Sequence, residues 1–210
     1  MTIDIPLYIN HSHRCAQAAL KGILRKVLPG REFSYKDLDE LTLHAREEIT
    51  FPSQIALALL NLNVPFEYFV KEHGLEDVSR EDIPALIRKA YGGKAEGLIM
   101  KTNVVSLRRS VTQLLDSNSA IRIEEKPSWQ YLEQRLREGR VNLCLINFDV
   151  FAERENNFAG HYIVLTDVNS RGLTYNDCGP IGSGKDKWMS RERFQGVWQL
   201  CFFDHDLLVI

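Results

Sequence analysis

The segment from His161 to Asp177, HYIVLTDVNSRGLTYND, decides how the chain folds. Tyr162 to Leu165 is an apolar run, Asn169-Ser170-Arg171-Gly172 is turn chemistry, and Leu173 to Asn176 returns. Two such runs joined by such residues predict an antiparallel hairpin with two possible registers. A loop at Asn169 to Arg171, with Gly172 in a bulge, pairs residues 163 and 177. It puts His161 and Asp177 on one face as diagonal neighbours. A two-residue loop at Ser170-Arg171 puts them on opposite faces. In the first register the carboxylate accepts a hydrogen bond from one ring nitrogen and leaves the other to act as a base.

Working outward, Val141 to Phe148 is strand-like before the hairpin, and Trp198 to Phe203 and Leu207 to Ile210 are strand-like after it. Upstream of Gly139 the period is helical. Ala16, Ala19, Leu20, Ile23, Leu24, Val27 and Leu28 fit a helix from Cys15 to Leu28, stopped by Pro29-Gly30. Ser34, with Asp37 three residues on, predicts a second helix, and Ser53 a third carrying Ile55, Leu59 and Leu62. Val64 to Val70 reads as a short strand, Ser79 as the start of a helix containing Ile83, Leu86 and Ile87, and Val105 to Leu115 as another. Ser128 to Glu138 is a helix with Trp129, Leu132 and Leu136 inward. A helical part followed by an antiparallel β part predicts the α+β class. The 210 residues suit one domain, 1–210, with a helical half at about 1–138 and a β half at about 139–210.

Composition sets the outer limits. Apolar residues are 44% and charged residues 26%, which excludes a disordered chain, and no apolar run approaches membrane-spanning length. With 26 basic against 28 acidic residues there is no positive surplus to point to nucleic acid. The opening residues lack a charged segment followed by an apolar one, so no secretory signal is expected. Four scattered cysteines (Cys15, Cys144, Cys178, Cys201) fit reduced thiols in a cytoplasm better than a disulfide framework.

Cys15 stands where the irregular run Asn10-His11-Ser12-His13-Arg14 becomes a helix. Unpaired N–H groups and the dipole at a helix start stabilise an anion, so a thiol there titrates below about 8.5, and Arg14 or an imidazolium would add to this. Such a thiolate is a nucleophile if a base stands beside it; otherwise a cysteine here serves as a small buried residue.

The order Cys15, His161, Asp177 resembles the papain-like arrangement. More narrowly, His161-Tyr-Ile-Val-Leu-Thr-Asp-Val, a turn, and Leu173-Thr-Tyr-Asn-Asp-Cys-Gly-Pro resemble the bacteriocin-processing (double-glycine leader) peptidase family and its "like" group. Cys15-Ala-Gln-Ala-Ala-Leu resembles that family's cysteine block. Arg140 to Asn147 resembles the strand before its histidine, and Met189 to Trp198 its closing helix. The resemblance implies a papain-like cysteine peptidase fold, with a helical N-terminal part packed on a C-terminal antiparallel sheet. It also implies Cys15 as nucleophile, His161 as base and Asp177 as orienter, acting through an acyl-thioester. The family carries a glutamine six residues before the cysteine as oxyanion donor, where this chain has Ile9; Asn10 or His11 are the substitute candidates, or His13 if the backbone turns. Cys-Gly is here Cys15-Ala16, and Asp-Pro is Asp177-Cys178.

Gly179-x4-Gly184-Lys185 matches part of a phosphate-binding loop, but Asp186 stands where Ser or Thr is needed, so a glycine-rich loop beside the cleft is expected instead. His11, His13 and Cys15 alternate like metal ligands without a standard spacing. Asp204-His205-Asp206 reads as a solvated turn. We expect no cofactor, no metal, no nucleic acid and no membrane partner. The expected activity is that of a cysteine peptidase or amide hydrolase on a peptide or acyl-carrier substrate, with an acyltransferase or a catalytically weak peptide-binding module as alternatives. Substrate pockets are expected from the loops Phe151 to Ala159 and Ile181 to Lys187; the oligomeric state is left open.

Overall fold

The computed structural model describes residues 2–10, 14–45, 47–70, 74–117, 121–123 (backbone), 127–153, 159–179, 182–198 and 206–210. The helices are α1 (Cys15–Val27), α2 (Tyr35–Leu41), α3 (Pro52–Asn61), α4 (Gly74–Arg80), α5 (Ile83–Tyr91), α6 (Ala95–Met100), α7 (Val104–Asp116), α8 (Trp129–Arg137), α9 (Phe148–Phe151) and α10 (Arg191–Val197). The strands are β1 (Glu67–Phe69), β2 (Ile121–Ile123), β3 (Asn142–Asn147), β4 (Gly160–Val168), β5 (Gly172–Asp177), β6 (Gly184–Ser190) and β7 (Leu207–Val209). Among the described residues they form one sheet in the order β2-β1-β7-β3-β4-β5-β6, antiparallel except where β1 runs beside β2. The class is α+β, as the change of period at Gly139 implied. The two halves are not segregated, however: β1 and β2 come from the helical part and extend the sheet beyond β7.

The decisive hairpin takes the register that pairs Ile163 with Asp177. The loop, however, is the two-residue one at Ser170-Arg171, with Val168 opposite Leu173 and the Asn169 N–H donating to the Gly172 carbonyl. The extra residue is not Gly172 but Thr166, which falls out of register between Leu165 and Asp167 and returns His161 and Asp177 to one face. The turn is held instead by Asn169, whose Oδ1 accepts the N–H groups of Arg171 and Gly172, the side-chain turn chemistry that asparagine supplies. The Thr166 carbonyl accepts the Ile3 N–H at 2.8 Å. The bulge thereby ties the N-terminal segment to β4.

Helix α1 is buried almost all round: Ala16, Ala18, Ala19, Leu20, Ile23 and Leu24 are each at most 3% exposed, and each large side chain among them contributes about 1.5–3 kcal/mol. One side of α1 lies against β4, and another against the N-terminal segment, where Ile5 is buried and its carbonyl accepts from Asn176 Nδ2 at 3.0 Å. The approach is closest at Gly22. A Cβ there would lie 2.4 Å from the Pro6 carbonyl oxygen. In an open helix, Gly→Ala stabilises by up to about 1 kcal/mol; here the clash with backbone reverses the sign. Gly22→Ala is expected to cost about 2 kcal/mol and to lower Tm by roughly 4–8 °C in a melt followed by circular dichroism.

The Ser34 capping box forms as expected, with Asp37 Oδ2 accepting the Ser34 N–H at 2.7 Å. Five sequence expectations are corrected. Ser53 is not a cap: α3 starts one residue earlier at Pro52, whose fixed φ suits a first helical position, and Ser53 Oγ bonds Ser110 Oγ. Ser79 does not open a helix; it lies near the end of α4, and α5 begins after Asp82 with Pro84 in its first turn. Gly184 to Ser190 is a strand rather than a loop, so no helix follows the glycine-lysine pair, as a phosphate-binding loop requires. Trp198 terminates α10 rather than opening a strand, and Asp206 is 1% exposed, its carbonyl accepting from Trp198 Nε1, rather than solvated. Residues 199–205 lie outside the described residues, as do His11 and His13.

Candidate active site

The site is assembled from the start of α1, the start of β4 and the end of β5. Asn10 fixes the entry to α1. Its N–H donates to the Cys178 carbonyl at 2.8 Å, and its Oδ1 accepts the Arg14 N–H at 3.1 Å, supplying the cap that the Arg14 side chain does not. Arg14 itself is turned away: Nε and Nη2 bind the two carboxylate oxygens of Asp39 on α2 at 3.3 and 2.8 Å. The first turn of α1 carries no acidic side chain to oppose an anion.

Cys15 is half-buried at the head of α1, which packs against β4, and its thiol feels the charge of His161. His161 is 4% exposed, and its Nε2 lies 2.8 Å from Asp177 Oδ1. That leaves Nδ1 as the ring nitrogen for the sulfur. Asp177 is fully buried. Its Oδ1 also accepts the Gly179 N–H at 2.9 Å, and its Oδ2 accepts from Lys187 Nζ at 2.8 Å. Phe148 stands edge-on to the imidazole, with ring centroids 5.2 Å apart. The structure thus brings together the three residues expected at the site, in the diagonal register.

Burial alone would raise the Cys15 thiol. The hydrogen bond and charge of His161, then the backbone N–H groups of Tyr162 and Ala16, outweigh it and hold the thiol below its ordinary value. Of the two groups expected to add to the depression, Arg14 or an imidazolium, it is the imidazolium of His161 that acts, while Arg14 pairs with Asp39. Burial would likewise lower the imidazole, but bonds to Asp177 and Cys15 and the charges behind them push it up to about 9. The Asp177 carboxyl would be raised by burial, yet His161, Lys187 and the Gly179 N–H hold it down. These shifts all act in the direction of a thiolate–imidazolium–carboxylate array, a nucleophile with a proton donor beside it.

Cys178, where a proline was expected from the resemblance, is buried, and its thiol donates to the Cys15 carbonyl at 3.2 Å. Burial and the neighbouring Cys15 and Asp177 charges raise it far above an ordinary thiol, so it stays protonated and inert. Ile9, where a glutamine was expected, is 45% exposed. Phe148 was missed in the sequence, while Gly179 and Lys187 were read only as parts of loops beside the cleft, with no role toward His161 or Asp177.

Two solved structures are similar to this chain. One is the peptidase domain of Streptococcus ComA, a bifunctional ABC transporter involved in quorum sensing; it shares 16% identity over 98% of this chain and 96% of that one, with a TM-score of 0.46. The other, from Bacillus anthracis and described as a C39-like peptidase, shares 12% identity over 100% and 96%, with a TM-score of 0.49. No protein-family model and no curated protein matches the chain. Among the described residues, no three His, Cys, Asp or Glu side chains converge to hold a metal ion, and no helix is long and apolar enough to cross a membrane.

Proposed function

We propose that this protein is a cysteine-dependent acyl-transfer enzyme, hydrolysing an amide or peptide through Cys15, His161 and Asp177. One observation carries the reading: a part-buried thiol heads a helix that packs against β4, where the buried imidazole of His161 has its Nε2 2.8 Å from a fully buried carboxylate and its charge acts on that thiol. The Cys15 thiolate attacks the substrate carbonyl and a C–S bond forms. The Cys15 N–H is one donor to the resulting oxyanion, and the Asn10 carboxamide nitrogen is our candidate for the other. His161 gives its proton to the departing amine as the C–N bond breaks, leaving a thioester. Water, deprotonated by His161, attacks that thioester, releasing the acid and returning the thiol. Asp177 stays ionised and holds the ring. The substrate is a peptide or an acyl group on a carrier, met in a compartment that keeps thiols reduced; the three described cysteines are free.

A weaker, peptide-binding role draws on one observation, the apolar and exposed Ile9. One lost oxyanion donor slows such chemistry by about 10²–10³-fold without abolishing it. The test is covalent trapping. The protein is mixed with peptide amides and acyl thioesters, quenched in acid, and weighed intact. The expected product carries the acyl mass on Cys15, absent from Cys15→Ala. No adduct, together with a Cys15 thiol titrating near 8.5, would refute the proposal. Release of free acid marks hydrolysis; transfer to added amine marks an acyltransferase.

A further inference from the structure

The β6 strand carries two lysines that the proposed reaction does not use, and they are held differently. Lys185 pairs at 2.5 Å with Asp4, which is 83% exposed, a contact of little consequence at a surface. Lys187 reaches inward. Its Nζ lies 2.8 Å from Asp177 Oδ2, on a carboxylate with no exposure, and 2.5 Å from the Gly182 carbonyl oxygen. The ammonium also sits 5.5 Å from the ring centroids of both Phe151 and Tyr175, over faces that attract a cation. Four contacts from three directions define its position, which a surface lysine lacks.

The register explains how it arrives there. Tyr175 is opposite Lys187 and Asp177 opposite Gly184, with an irregularity between the two pairs where Asp186 has φ 55°, and across it Lys187 Nζ reaches Asp177 Oδ2. The charged and titratable groups around it are few. From β5 come Asp177 and Tyr175. From α10, Arg193 lies over the Phe151 ring at 5.7 Å and is paired with Glu153 at 3.2 Å. On β6 itself, Lys185 is taken by Asp4, and Asp186 directs its backbone N–H to Asn176 Oδ1.

We propose that Lys187 is a positioning residue for the site: it fixes the Asp177 carboxylate by Oδ2 so that Oδ1 stays turned to His161 Nε2. The inference rests on the reading of Cys15, His161 and Asp177 as an acyl-transfer site. The physical need is plain. Oδ1 is engaged by His161 and Gly179, and a buried Oδ2 without a donor would either swing the carboxylate or take up a proton. Either change removes the fixed anion that orients and stabilises the imidazolium.

The test compares the full chain with Lys187→Met, Lys187→Gln and Lys187→Arg by the pH dependence of Cys15 alkylation with iodoacetamide, alongside thermal melts. Methionine keeps the apolar stem over Phe151 and Tyr175 and removes the charge. The thiolate midpoint is expected to rise by about half a unit or more in Lys187→Met, a fall in rate of about threefold or more on the acid side. Arginine restores the wild-type profile. Lys187→Gln carries the same expectation as Met, should Lys187→Met fail to fold. A Met or Gln profile superimposed on the wild type, even with a lowered Tm, makes Lys187 merely structural and overturns the proposal. If the wild-type thiol itself titrates near 8.5 and ignores His161→Ala, the acyl-transfer reading falls as well. A depressed, His161-dependent wild-type thiol that Lys187→Met leaves unmoved sinks the lysine role alone.

Discussion

His161→Ala is expected to return the Cys15 thiol to at least its ordinary value near 8.5, because burial then acts unopposed by an imidazolium. Alkylation of Cys15 at pH 6 should therefore be slower than in the wild type, whose thiol His161 holds below its ordinary value. The wild-type pH dependence follows from the same shifts. The reactive ion pair forms as pH rises through the depressed Cys15 value. It loses its proton donor as pH rises through about 9, where His161 titrates. Acyl transfer should therefore decline above about pH 9. Alkylation should persist there, since the thiolate remains. The signs for stability run in parallel: the raised His161 contributes below about 6.5 and loses that contribution through about 9, whereas the lowered Asp177 contributes above about 3.9 and loses it on further acidification. A wild-type alkylation profile identical to that of His161→Ala would remove the basis for the catalytic reading.

Gly179→Ala should be almost as damaging, although the residue bears no reactive group. A Cβ there would stand 2.8 Å from His161 Cε1, 3.1 Å from Nε2 and 3.0 Å from Asp177 Oδ1. The imidazole is packed by Phe148 and cannot retreat without leaving its hydrogen bonds. Overpacking of this kind costs about 1–3 kcal/mol, and a misplacement of about 1 Å at reacting groups costs about a hundredfold in rate. The expected variant is folded, with Tm lowered by a few degrees, and its acylation on Cys15 slows by about two orders of magnitude. Full activity in Gly179→Ala would mean that the ring has more room than its surroundings indicate.

Much of this was legible in the residues. Alternation and turn chemistry placed His161 and Asp177 on one hairpin, because a period of two and an Asn-Ser-Arg-Gly turn leave only two registers. The helix period of Ala16 to Leu28 located Cys15 at a helix start. What was not legible depended on contacts distant in sequence. β1 and β2 have three residues each, too few to display a period, and join the sheet only by pairing with distant strands. β6 is an edge strand whose Lys185, Asp186 and Trp188 face solvent, so it lacks the apolar alternation that marks a strand. Ser53 and Ser79 are good local caps overruled by Pro52 and Pro84, which set where α3 and α5 begin. The role of Gly179 follows from how closely His161 approaches it, which no local pattern records.

The division of the site between α1 and the β4–β5 hairpin has a consequence for the protein's synthesis. The sulfur emerges from the ribosome early, while the imidazole and carboxylate that ionise it are made far downstream. Until that hairpin docks, the growing polypeptide carries a thiol of ordinary reactivity, unable to attack its own peptide bonds or those of its neighbours. Reactivity is acquired only once α1 and that hairpin have docked.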